Sequence, residues 1–128
     1  MLRIILSACL AGTSAACSST NPQSQKNIAV GLLEPQLVTI EAGVRSVMKD
    51  PESARFGPYW AAQKPDGTTI VCGYVNGRNS FGGYTGDKPY LAGLAADNAF
   101  GGATIASDES SVFAVRKVCA GTIPGYGG

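Results

Sequence analysis

Histidine is absent from the 128 residues of this chain, which removes the base of every Ser-His-Asp or Cys-His nucleophile and every His-ligated metal site. The chain has four cysteines, Cys9, Cys17, Cys72 and Cys119. Cys72 and Cys119 with an acid would offer thiolates to zinc, but no CxxC spacing is present, and the same lack argues against a redox pair. No cofactor or metal is therefore expected. Asp50-Pro51-Glu52-Ser53-Ala54-Arg55-Phe56 places an acid pair beside a base. The plainer expectation there is a helix cap at Asp50 and a folded turn. Ser53 and Arg55 would complete hydrogen bonds and Phe56 would be buried. Glycoside hydrolysis needs two carboxylates about 5–10 Å apart in a cleft. Most acids here (Asp66, Asp87, Asp97, Asp108 and Glu109) fall in expected turns, so an envelope hydrolase is a minor alternative.

The segment Asn76–Tyr90 offers more. Arg78, Asn79, Phe81, Tyr84 and Tyr90 form a candidate binding surface, because aromatic anchors beside an arginine suit protein or glycan recognition. A structural role competes with it. Gly82, Gly83 and Gly86 serve tight turns, Asn76 and Asn79 tolerate left-handed backbone, and the aromatics would fill the core behind them. No Walker or dinucleotide spacing is present to cradle phosphate.

Ten basic and nine acidic residues leave a net charge of +1, which gives no electrostatic case for nucleic acid. The start of the chain reads as an address. Arg3 is followed by an apolar stretch, the small residues Thr13-Ser14-Ala15-Ala16, and a polar run from Ser18 to Lys26. This order is that of a secretory signal, and the apolar part is shorter than the ~20 residues a spanning helix needs. Ser14-Ala15-Ala16-Cys17 resembles the lipobox of bacterial lipoproteins, in which the cysteine is acylated. A lipobox usually has a larger aliphatic residue where Ser14 stands; Leu6-Ser7-Ala8-Cys9 matches the pattern better but leaves an apolar region too short to act as a signal, and Ser14-x-Ala16 also suits ordinary signal peptidase. Cleavage at Cys17 would leave three cysteines. Lipidation of Cys17 frees Cys72 and Cys119 to pair, whereas ordinary cleavage leaves an odd thiol. More than one acyl chain would anchor the domain to a membrane stably. Removing Arg3 leaves nine cations against nine acids, so lipid headgroups would not be bound by charge.

The elements that must position these residues follow from periodicity. The expected organisation is a signal peptide over 1–16, a flexible tether over 17–33, a folded domain over 34–119 and a loose glycine-rich tail over 120–128. Leu37, Ile40, Val44, Val47 and Met48 share one face of a helix from Glu34 to Lys49, with Pro35 in its first turn and Pro51 beyond its end. Tyr59–Gln63 and Thr68–Val75 read as a hairpin closed by Lys64-Pro65-Asp66-Gly67. Tyr90–Ala95 reads as a third strand, Asp97-Asn98 and Gly101-Gly102 mark another loop, and Ser110–Val118 reads as a last strand with alternating sides. The fold class is α+β, with one N-terminal amphipathic helix on a three- to four-stranded antiparallel sheet. A Cys72–Cys119 disulfide would staple so small a domain; two buried thiols are the alternative.

Two motifs then carry a resemblance. Lys49-Asp50-Pro51-Glu52-Ser53-Ala54-Arg55-Phe56 is followed by Val71-Cys72-Gly73-Tyr74-Val75-Asn76 and Asn79-Ser80-Phe81-Gly82-Gly83-Tyr84-Thr85-Gly86, with Tyr90 soon after. This order resembles a family of small bacterial exported and lipoprotein domains with a KDPxSAxF element and a CGxVNxxNxFGGYxG element. It covers about residues 44–95. The resemblance implies export and a compact fold, and it implies no reaction. The expectation is a non-catalytic envelope lipoprotein, outer-membrane-anchored and periplasm-facing, that contacts another envelope protein or a surface polymer. A secreted inhibitor of a cell-wall hydrolase is the alternative of a different class.

Overall fold

Thr69–Asn76 is buried along almost its whole length, as a strand covered on both faces must be. The computed structural model, which describes residues 26–127, places this strand at the centre of five. The sheet is β1 (Ile28–Val30), β2 (Arg55–Gln63), β3 (Thr69–Asn76), β4 (Lys88–Leu94) and β5 (Phe100–Ile105), all antiparallel and adjacent in chain order. Helix α1 (Glu34–Ser46) joins β1 to β2, a 3-10 turn spans Pro51–Ser53, and α2 (Glu109–Thr122) follows β5.

The two helices cover opposite faces, because alternate residues of each strand enter different cores. Ile40 and Val44 of α1 meet Ala61, Val71, Val75, Tyr90, Ala92 and Leu94. Val115 and Cys119 of α2, with Ile123 just beyond it, meet Ala62, Cys72 and Ala106, with Trp60 and Tyr126 at the margin. The Cys72–Cys119 disulfide crosses this second core, with Cα atoms 6.1 Å apart.

Turn chemistry sets the register. Asp66 accepts the Thr68 amide at 2.9 Å and Gly67 adopts φ +90°, which closes the β2–β3 hairpin. The backbone amide bond to Asp66 lowers its pKa. The β2–β3 pairing shifts between Phe56 and Tyr59, where Gly57 and Pro58 stand. β1 pairs only with Ala61–Gln63, so Pro58 lies on an unpaired edge where its missing N–H breaks no ladder.

Several expectations are corrected. Ser110–Val118 is not a strand: it lies within α2, so Cys119 stands on a helix. Asp108 caps that helix by accepting the Ser111 amide at 2.7 Å, a bond that also lowers the Asp108 pKa. Gly101-Gly102, expected to mark a loop, lie inside β5, and the stretch expected as tether contains β1. The expected tail continues the fold, with Ile123 buried and the Tyr126 ring 5.1 Å from that of Trp60. The fold is thus α+β, with two helices on five strands rather than one on three or four. Cys9 and Cys17, with the signal and lipidation expectations that rest on them, lie outside the described residues. Among the described residues no helix is long and apolar enough to cross a membrane.

Candidate binding site

The two motifs of the sequence meet in space. The short turn after α1 brings Ser53 under the start of the segment that follows β3. The Ser53 hydroxyl donates to the Asp50 carbonyl at 2.7 Å and accepts the Arg78 amide at 2.9 Å. The Arg78 guanidinium reaches the Asp50 carboxylate, Nε to Oδ2 at 3.2 Å. The Tyr84 hydroxyl donates to the Ser53 carbonyl at 3.1 Å, and the Arg55 guanidinium stacks 4.0 Å from the centre of the Tyr84 ring. Asp50 thus does not cap the turn with its side chain, as the spacing suggests; it binds Arg78 instead.

Between Arg78 and Tyr84, which pair as an isolated bridge, the chain makes a small hairpin. Asn79 organises it. Its side-chain carbonyl accepts the amides of Phe81 at 2.9 Å and Gly83 at 3.1 Å, and its backbone pairs with Gly82 and Gly83. Gly82 at φ +81° and Gly86 at φ +94° take the left-handed positions. Asn76 accepts the Gly86 amide at 3.1 Å and fixes the return to β4. With these polar groups satisfied internally, Phe81 is left at the tip with 97% of its surface exposed.

The five candidate residues therefore separate. Arg78 and Tyr84 brace the hairpin, Asn79 folds it, and Phe81 projects from it. Tyr90 is no part of this surface. It lies 1% exposed in the α1-side core, opposite Gly73 in the ladder, with its ring edge-on to Phe56 at 6.2 Å. A Cβ on Gly73 would stand 2.6 Å from the Tyr90 hydroxyl, so this glycine is what admits the ring. Burial first, then the Glu41 charge and Tyr59, hold the Tyr90 pKa well above the usual phenol value. Its position inside a β-strand, at even spacing from Ala92 and Leu94, is the signal that would have placed it in the core.

Beside the hairpin lies a cleft of about 300 Å³. The segment just after α1, β3, the hairpin base, β4 and the end of β5 with the residues after it line the cleft. Lys49, Arg78 and Lys88 all line it, together with Asn79, Thr85 and Ser107, and no carboxylate does. Lys49 and Lys88 are absent from the sequence-derived candidates, because 39 positions separate them in a chain of balanced charge (88 minus 49). A wider, shallower concavity of about 870 Å³ over β4 and β5 is floored by Leu91, Gly93, Gly101 and Gly102 and carries one cation, Lys64. Among the described residues no cluster of three His, Cys, Asp or Glu side chains is placed to hold a metal. No protein-family model, curated protein or solved structure significantly matches the chain.

Proposed function

We propose that this chain is a non-catalytic cell-envelope lipoprotein, held to a membrane by lipid on Cys17 and contacting an envelope protein or surface polymer through the Arg78–Tyr84 hairpin. The exposure of Phe81 carries the reading. An aromatic ring held in water at the tip of an internally bonded hairpin contributes nothing to the core, and aromatic side chains are favoured anchors at interfaces. The resemblance of the KDPxSAxF and CGxVNxxNxFGGYxG elements to exported domains, and the lipobox-like Ser14–Cys17, support an envelope location.

A photoreactive residue placed at position 81, with position 113 on α2 as an exposed control, tests the contact in intact cells. A discrete crosslinked species from 81 and none from 113 supports the reading. Equal, diffuse labelling at both positions overturns it. The intact mass of the membrane-extracted protein checks the anchor separately: an acyl adduct on the peptide beginning at Cys17 is expected, and its absence removes the lipid from the account.

A further inference from the structure

Three cationic residues line the cleft at the base of the hairpin, and they come from three separate places in the chain. Lys49 follows α1, Arg78 opens the hairpin and Lys88 begins β4. Among the described residues neither lysine makes an ion pair, whereas Arg78 is paired with Asp50. Three positive charges less that one carboxylate leave the cleft at +2, in a chain whose total is +1. The nearby C-terminal end of α1 offers an anion roughly −0.5 of a charge, too little to cancel this surplus. Side-chain donors are present as well: Asn79, Thr85 and Ser107 line the same cavity. Lining one concavity with like-charged residues and no carboxylate makes it electropositive, which suits the cleft to an anion.

We propose that this cleft binds a phosphate monoester or a comparable dianionic phosphate group. The +2 surplus matches a phosphate dianion, and the volume of about 300 Å³ admits one headgroup or one sugar-phosphate unit, not a folded partner. Arg78 is the fixed element, oriented by Asp50 and by the Ser53 hydroxyl on its own amide. Lys49 and Lys88 are point charges that close on the ligand. The same chemistry is found in free phosphorylated metabolites and in the phosphomonoester headgroup of phosphatidic acid. The site depends neither on the Phe81 contact nor on the lipid at Cys17, so it stands or falls apart from the proposed function.

The test uses the protein from its full-length sequence, titrated with inorganic phosphate and followed by the amide resonances of Asn79, Thr85 and Ser107. Saturable shifts with a Kd on the order of millimolar are expected, with acetate at matched ionic strength giving none. Lys49→Gln and Lys88→Gln each remove a charge that makes no ion pair among the described residues. Each should weaken binding roughly fivefold, and both together about 25-fold, with an unchanged far-UV spectrum. Sedimentation with vesicles of phosphatidic acid in phosphatidylcholine separates the sources. Binding that the double variant loses points to a headgroup; response to soluble phosphate alone points to a metabolite. No saturable response to phosphate, or an equal response in wild type and double variant, overturns the proposal.

Discussion

The two faces of the sheet are held by different means. On the α1 side, Ile40, Val44, Val71, Tyr90 and Leu94 are large, almost wholly enclosed and in mutual contact. On the α2 side the buried set is smaller in volume: Ala62, Ala106, Val115 and Ile123 surround the Cys72–Cys119 bridge. Apolar burial contributes in proportion to area, so the larger enclosed side chains favour the first face, and the second adds a covalent link to its half-buried Trp60, Ile70 and Leu91. The link closes 47 positions of chain, worth roughly 4 kcal/mol by the loop-entropy estimate. The proposed binding sites follow the same division. The hairpin and the cationic cleft rest on the end of α1, β3 and the start of β4, and no α2 residue lines the cleft.

Removing the bridge is the largest expected perturbation. Cys72→Ala with Cys119→Ala should cost roughly 4 kcal/mol, read as a lower urea midpoint. If the faces are as unlike as their contents suggest, phosphate binding by the cleft persists in that variant under native conditions. On the other face, Ile40→Ala should cost about 2–5 kcal/mol, because the residue is 0% exposed and the cavity it leaves has packed walls. Denaturant unfolding checks this, and a cost below about 1 kcal/mol would erase the contrast. Gly73→Ala comes next. It pushes a methyl into the Tyr90 ring and should cost about 1–3 kcal/mol.

The smallest effect is electrostatic. Tyr90 has a folded-state pKa raised above its unfolded value, so its neutral form is favoured in the native protein. The stabilisation is complete below the unfolded phenol pKa of about 10 and is lost as pH rises above it toward the higher native value. Stability should therefore fall by at most about 1.4 kcal/mol per pH unit above about pH 10 from this group. Tyr90→Phe should flatten that slope relative to wild type in urea unfolding at two alkaline pH values. An unchanged slope would mean that the alkaline loss arises elsewhere.

The same contrast explains what could be read in the sequence. The α1 face was legible, since Ile40 and Val44 recur at helical spacing and Pro35 opens the element, but the helix ends at Ser46 rather than Lys49, with Val47 exposed beyond it. The Lys64–Gly67 turn was legible because its residue types dictate backbone angles. The α2 face was not. Val112, Val115, Cys119 and Ile123 do recur at helical spacing and Asp108 precedes them as a cap, but Val112, Ala114, Arg116 and Val118 also alternate. Dense β-branched residues in a short segment fit both periods, and tertiary packing on Cys72 decided between them. β1 and β5 were missed because a three-residue strand and a Gly-Gly strand carry almost no propensity signal. At the site, the sequence gathered Arg78, Asn79, Phe81 and Tyr84 through proximity alone. It could not separate Tyr90, which shares their aromatic character but points into the core, nor join Lys49 to Lys88 across the sheet.

Hydrogen exchange on the Cys72→Ala/Cys119→Ala variant, compared with the bridged protein, tests the division between the faces most directly. Amides of α2 (Glu109–Thr122) should lose most of their protection while α1 and the β2–β4 ladders keep theirs. Equal loss of protection in both helices would contradict it, and would mean that the two faces unfold as one unit whatever holds each of them.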